Sequence, residues 1–358
     1  MNLWGDKRYH TWNFDLRKQF GGKVFKVPLD AGFTCPNRDG TVAFGGCTFC
    51  SARGSGDFAG SRRRNLVQQF EDVRGTLHKK WPKAKYIAYF QAFSNTYAPV
   101  EELREMYEAV LALPDVIGIS IATRPDCLPG DVLDLLAELH TRTFLIVELG
   151  LQTVHEQTSK RINRAHDTPT FLAGLFELKK RGIQTCTHMI YGLPGETDEM
   201  MMQTAEIVAM LPTEGVKLHL LHVLHGTPLA NEYIEGKFEL LTKERYIQLI
   251  CDTLEILPPA MAIHRLTGDG PPETLLGPFW SRKKWEVLNG IDEELKRRDS
   301  WQGKFYNGIC RDHPKDWGDV DFHAVQASIG GGLRAKYPVF VPHGVAHRFQ
   351  NAMKGDLT

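Results

Sequence analysis

The chain has 358 residues, with 43 Lys and Arg balancing 43 Asp and Glu, and it is 42% hydrophobic against 24% charged. That composition is globular and excludes a disordered chain. No run approaches the roughly 18 apolar residues that cross a bilayer, and the charged N-terminus lacks a signal-peptide core, so a cytoplasmic protein with no membrane partner is expected.

In chain order, residues 1–22 form a basic extension in which Trp4, Lys7, Arg8, Tyr9, Trp12, Phe14, Arg17, Lys18 and Phe20 interleave. A first strand is expected near Lys23–Leu29. Behind it stand Cys35, Cys47 and Cys50, spaced C-x11-C-x2-C, with Gly40, Gly45 and Gly46 between them. Three thiolates this close form a metal-ligand pattern, and three roles are open. A structural zinc site needs a fourth ligand, which this pattern does not supply. A redox pair would use Cys47 and Cys50 and leave Cys35 unexplained. An iron–sulfur cluster held by three cysteines would leave one iron free for a small molecule to chelate. Cys127, Cys186, Cys251 and Cys310 are scattered, which argues against a disulfide framework. The first three read as core residues, and Cys310 with His313 is too little for a second metal site.

Beyond the loop, strand and helix signals alternate. Lys85–Gln91 reads as a strand, and Pro99 opens a helix with apolar positions Val100, Leu103, Tyr107, Val110 and Leu111. Ile117, Ile119 and Ile121 alternate as a strand before the helix VLDLLAELH. Phe144–Val147 is a continuous apolar run typical of a strand buried on both faces. A helix at Thr170–Arg181, a strand at Thr185–Tyr191, a helix at Thr197–Leu211 and a strand at Val216–Val223 follow. About six β/α units fit a doubly wound sheet or a partial barrel. The strand ends favour the barrel, because Gln91, Arg124, Asp126, Glu148, Gln152, His188 and His222 would all gather at one mouth. The expected class is α/β, a partial (β/α)6 TIM-type barrel over residues 23–235. A helical part at 236–303 and an unassigned tail at 304–358 complete the chain.

Seven segments carry a resemblance in combination: GFTCPNRDGTVAFGGCTFC (32–50), YFQAFSNTYAP (89–99), SIATRPDCL (120–128), VELGLQT (147–153), NRAHD (163–167), HMIYGLPGET (188–197) and HRLTGDGP (264–271). Together they resemble the radical S-adenosylmethionine (radical SAM) superfamily. In detail they resemble its YhcC/YtqA family, related to the catalytic subunit of the elongator complex. The x11 gap departs from the commoner x3 of the superfamily and matches this branch.

The resemblance implies a barrel of the radical-SAM type with N-terminal and C-terminal extensions. It implies that Cys35, Cys47 and Cys50 bind three irons of a 4Fe-4S cluster and that S-adenosylmethionine chelates the fourth. One electron, from a donor such as flavodoxin or ferredoxin, would split the sulfonium bond to give methionine and a 5′-deoxyadenosyl radical. Gln91 to Asn95 would meet the methionyl amino group through backbone carbonyls, and Arg164 the methionyl carboxylate. Glu148 and Gln152 would meet the ribose or sulfonium region, and GLPGE (192–196) the adenine. His188, Arg124 and Asp126 remain as catalytic candidates facing the substrate. Arg124 with Asp126 equally fits an internal ion pair, and Arg164 a helix-surface salt bridge. The implied substrate is the C5 side chain of wobble uridine in tRNA, in the conversion of carboxymethylaminomethyl uridine toward aminomethyl uridine. A small metabolite or a protein is the alternative substrate, and a zinc-stabilised RNA-binding protein without catalysis is the alternative of another class.

Zero net charge argues against a nucleic-acid partner until the chain is divided. Residues 1–85 hold 16 Lys and Arg against 7 Asp and Glu, a net of +9, and residues 86–358 hold 27 against 36, a net of −9. The basic quarter includes Arg62, Arg63 and Arg64 and the lysines at 79, 80, 83 and 85. Cations with interleaved aromatics suit flexible RNA. The same pattern suits an amphipathic cover lying on the barrel.

Overall fold

The computed structural model describes residues 4–306; Cys310, His313 and all but the start of the 304–358 tail lie outside the described residues. The six expected strands form as β1 (Val24–Leu29), β2 (Lys85–Phe90), β3 (Val116–Thr123), β4 (Phe144–Gln152), β5 (Gln184–Tyr191) and β6 (Gly215–Leu220). A two-residue strand β7 (Val223–Leu224) pairs antiparallel with β9 (Leu275–Gly277) beside them. Between those two in sequence, β8 (Ala262–Arg265) adds a seventh strand to the main sheet. Its four residues are too few to show a period in the sequence.

The main sheet runs β1-β2-β3-β4-β5-β6-β8 and is parallel at every step. Strand order follows chain order, so each crossover returns to the same outer face and the sheet curls into a half-barrel. Outside it lie α2 (Leu66–Lys80), α3 (Val100–Leu111), α4 (Gly130–Arg142), α5 (Glu156–Arg161), α6 (Thr168–Lys180) and α7 (Asp198–Met210). The chain continues through α8 (Pro228–Ile234), α9 (Lys243–Ile256) and α10 (Lys284–Arg297). Side-chain caps start several of them. Asn65 and Gln68 form a reciprocal capping box, and Asp167, Thr197 and Thr242 each accept the backbone N–H three residues on.

Alternation along each strand separates outside from inside. In β6, Val216, Leu218 and Leu220 join the core beneath the helices, while Lys217 and His219 line the concave side. In β5, Met189 and Tyr191 face the helices, and His188 and Ile190 face inward. A strand that is apolar on the outside and polar within is what a barrel with a working interior requires.

The N-terminal extension closes the gap between the sheet edges. Helix α1 (Trp12–Phe20) follows Thr11, which bridges to Ile263 on β8. Its Leu16 packs with Val24 and Ile87 near the strand N-termini, with Phe20 and Phe144 alongside. Trp12 stacks on His264 with 4.2 Å between ring centroids, and Lys26 Nζ sits 4.9 Å from the same indole centroid. The other aromatics are also taken up in packing. Tyr9 is buried, Trp4 stacks on His10 at 5.7 Å, and Phe20 meets Phe144 edge-on at 5.5 Å. Lys7 pairs with Asp292 and Arg8 with Asp299. The amphipathic-cover reading therefore accounts for these rings, and none of the four is free to stack on a base.

Candidate active site

The cysteine loop is built by side chains that seize its own backbone. The Cys35 carbonyl accepts the N–H groups of Arg38 (2.7 Å) and Asp39 (3.2 Å), and Cys50 N–H donates to the Cys47 carbonyl (2.9 Å). Arg38 donates to the carbonyls of Cys50 (3.1 Å) and Ser51 (2.5 Å). It does so across Gly46, whose φ is 78°; a Cβ there would lie 2.8 Å from the Arg38 side chain, so only glycine fits. Asn37 Nδ2 donates to the Asn163 carbonyl (2.7 Å), and Asn163 Nδ2 donates back to the Gly46 carbonyl (2.8 Å). These bonds dock the loop onto the α5–α6 connection. All three thiols are free of disulfides and partly exposed, with Asn37 Nδ2 donating to Cys47 Sγ (3.6 Å), whereas Cys127, Cys186 and Cys251 are buried.

The three thiols lie on the wall of a cavity of about 290 Å³ that runs down the concave face of the sheet. A second compartment of about 220 Å³ adjoins it and shares Tyr89, Gln91, Lys217 and Arg265. At the centre is Glu148, fully buried on β4. One of its oxygens accepts from Lys26 Nζ and from Ser120 Oγ (2.8 Å). The other accepts from Lys217 Nζ and from His188 Nε2 (2.9 Å). Lys217 also donates to the Tyr89 hydroxyl (3.0 Å). Burial alone would push the Glu148 carboxyl up, but Lys217, Lys26 and His188 outweigh it and hold it well below the usual carboxylate range. Burial lowers Lys217 to about 7 despite Glu148, and His188 to about 4.

The residues singled out in the sequence fall into two groups. Gln91, Arg124, Glu148, Gln152, Arg164 and His188 all line the main cavity with the cysteines. Asn95 lies behind the wall, where its Nδ2 donates to the Ala122 carbonyl (2.7 Å) and its own carbonyl accepts from Tyr107. Asp126 also stays off the wall and grips Arg124 in a two-point ion pair (2.9 and 2.7 Å). Arg124 donates further to the carbonyls of Arg164 (2.8 Å) and Ala165 (3.0 Å), so it fixes that loop. Arg164 is not on a helix surface. It is 1% exposed, and burial lowers it to about 10; Nε and Nη1 are held by the carbonyls of His166, Leu151 and Thr153. Its Nη2 has no hydrogen-bond partner but lies 3.6 Å from the Glu156 carboxylate of α5, in an ion pair. The GLPGE turn lies off the main cavity, where Gly192 and Gly195 line a separate surface pocket with Arg161.

Residues 35–208 match the radical SAM superfamily and residues 213–297 the radical SAM C-terminal domain. The chain is 62% identical over 304 residues to protein YtqA of Bacillus subtilis, covering 85% of this chain and 94% of that one. The chain belongs to the radical SAM superfamily. Protein YhcC of Escherichia coli is 36% identical over 290 residues, covering 81% of this chain and 93% of that protein. In the same fold, Elp3 of Methanocaldococcus infernus superposes with a TM-score of 0.60 at 17% identity, over 78% of this chain and 64% of that one.

Radical SAM enzymes such as this one use a 4Fe-4S cluster and S-adenosylmethionine, and the cavity suits both. Among the described residues, no three His, Cys, Asp or Glu side chains converge on a single metal ion. Burial, with Cys50 adding to it, pushes the Cys47 thiol up to about 12, the reverse of a redox-active pair. Nη2 of Arg164, which makes no hydrogen bond and stands 3.6 Å from Glu156, is a donor suited to a carboxylate.

Sequence reasoning missed Lys26, Tyr89, Lys217, His219 and Arg265, all of which face the interior. The available signal was a lone polar residue at an alternate position of an apolar strand, as in VFKVPL and GVKLHL. His166, His188, His219, His222 and His264 are all held below the usual histidine value, chiefly by burial. Unfolding frees each to take up a proton, so their neutral state stabilises the fold above pH about 6.5. That stability is lost as pH falls from there toward the folded values, about 4 for His188 and His222. Urea unfolding at pH about 5 should give at least ~2 kcal/mol less stability than at pH about 7. Equal stability at the two pH values refutes this account.

Proposed function

We propose that Cys35, Cys47 and Cys50 hold the 4Fe-4S cluster and that this enzyme alters the C5 side chain of wobble uridine in tRNA. The observation that carries the reading is the placement of all three thiols on one cavity wall with Gln91, Gln152 and Arg164. When bound, the cluster and S-adenosylmethionine supply one-electron cleavage of a sulfonium bond, with the electron from a flavodoxin or ferredoxin. The chain's own side chains do the positioning. Arg164, clamped by three carbonyls, presents its remaining nitrogen to the methionyl carboxylate. Gln91 and Gln152 offer amides to the amino and ribose groups. The Glu148, Lys217 and His188 network fixes the floor beneath, and the enclosing walls exclude water from a reactive radical.

Two features support an RNA substrate. Sequence likeness to elongator complex protein 3 extends over less than half of the chain. Phe58, which lines both compartments, is exposed, as is Trp285, next in sequence to the wall residue Lys284. Exposed rings beside cations suit a splayed nucleotide. Arg62, by contrast, is tied to Asp30 (2.8 Å), and Arg64 to Asp72 (3.0 Å). Mass spectrometry of tRNA nucleosides from cells lacking the gene tests the reading. Carboxymethylaminomethyl uridine should accumulate at the expense of aminomethyl uridine, and an unchanged nucleoside profile would move the substrate outside tRNA.

A further inference from the structure

The interior carries more positive charge than the cofactor reading uses. Lys26 and Lys217 share the single carboxylate of Glu148. Arg265, at the end of β8, lines both compartments, and among the described residues it makes no hydrogen bond and no ion pair. Asp269, which also lines both compartments, lies 4.0 Å from Lys284 and makes no ion pair with Arg265 among the described residues. Lys26, Lys217 and Arg265 thus outnumber the carboxylates of Glu148 and Asp269 in a space walled by the protein. A cationic surplus of that kind is costly to bury unless a ligand neutralises it.

The neighbouring histidines point the same way. Nε2 of His219 and Nε2 of His222 are both buried without a hydrogen-bond partner, and both residues line the main cavity beside Arg265. Burial first keeps both imidazoles neutral, followed for His219 by His188 and then Arg265 and for His222 by Arg265. A neutral imidazole donates from Nε2 when its proton sits there, so an anion could draw a hydrogen bond from each of these two ring nitrogens beside the guanidinium of Arg265. These groups sit on β6, on the segment following it and on β8, away from the cysteine loop, Arg124 and Arg164.

We propose that Arg265, Lys217, His219 and His222 form a subsite for an anionic group of the substrate, a carboxylate or a phosphate. The guanidinium supplies the two-point contact that either anion accepts, and Lys217 and the imidazoles complete the shell. Anchored there, the substrate is oriented in the floor of the cavity below the cysteine wall, as hydrogen abstraction demands. The subsite rests on charge and cavity shape, so it applies to a small acid as well as to a nucleotide.

The test uses the cluster-reconstituted protein with S-adenosylmethionine, titrated with inorganic phosphate and, separately, with acetate. Binding is followed by calorimetry and by the rise in melting temperature. At least one anion should bind wild type and bind Arg265→Gln about tenfold more weakly or worse, with Arg265→Lys intermediate. Among the described residues Arg265 makes no hydrogen bond or ion pair, so the anion-free melting temperature of Arg265→Gln should be no lower than that of wild type. Preference for acetate assigns a carboxylate to the subsite, and preference for phosphate a phosphate. The proposal is overturned if neither anion binds wild type or if Arg265→Gln binds them equally well. It is also overturned if the variant loses affinity for S-adenosylmethionine, which would place Arg265 in the cofactor's pocket. An unchanged tRNA profile in cells lacking the gene would leave this result standing, so the two readings fail separately.

Discussion

Serine at Cys35, Cys47 or Cys50 should yield a folded protein that holds no cluster after anaerobic reconstitution. The fold should survive because the loop lies outside the core and is held by Asn37, Arg38 and Asn163, whose hydrogen bonds do not involve ligation. The cluster should not survive, because two thiolates cannot replace three around an exposed iron–sulfur group. Losing even a residue behind a metal ligand typically costs about 10–100-fold in affinity or activity, so losing a ligand should reduce S-adenosylmethionine cleavage to background. Iron and sulfide content, visible charge-transfer absorption and methionine release measure the three consequences together. Serine at the buried Cys127 or Cys186 serves as the control and should retain the cluster. A full iron complement in Cys47→Ser would remove the trio from the ligand set.

Glu148→Ala should be the most destabilising single change in the barrel interior, by about 3–5 kcal/mol near neutral pH. The carboxylate satisfies Lys26, Lys217, Ser120 and His188 at once. Its loss leaves two ammonium groups facing each other without a counter-charge. Lys217 is already pushed down to about 7 by burial, so in the variant it should shed its proton in the neutral range. Stability of the variant should consequently recover as pH rises above 7, because the folded state releases a proton that the unfolded chain still holds. A second substitution, Lys217→Met, should recover much of the loss by removing one stranded charge. Urea unfolding of the single and double variants measures both effects. Wild-type-like stability of Glu148→Ala would show that the carboxylate is not the counter-ion of this cluster.

The fold was legible where the chain repeats itself. Buried runs such as KYIAYF and FLIVELGLQ and the helical spacing of Leu103, Tyr107 and Val110 give six strands and their crossovers. The cysteine trio was legible because its spacing is local. Arg124 and Asp126, two residues apart, were legible as a pair, and the ion pair is what forms. The centre of the site was legible only in part: Glu148 and His188 stood out as polar strand ends, but Lys26, Ser120 and Lys217 did not, because the cluster is assembled across the sheet. Lys26, Ser120, Glu148, His188 and Lys217 come from five different strands, and only the curl of the sheet brings them to one point. The aromatic-rich N-terminus misled for a related reason. Composition says that rings and cations alternate there, but only packing says which rings are already covered.

The clasp made by α1 also bears on how the chain reaches its native state. The bridge from Thr11 to Ile263 joins nearly the first described residue to the last strand of the main sheet. During synthesis, α1 and β1 emerge long before β8, to which Thr11 bridges. Contacts of such long sequence separation form late, because the closure entropy of the intervening chain has to be overcome first. The growing chain therefore passes through an open sheet with two bare edges, the form most prone to pair with a neighbouring chain. Docking of Trp12 against His264 ends that vulnerable period and, in the same step, seals the floor of the reaction chamber.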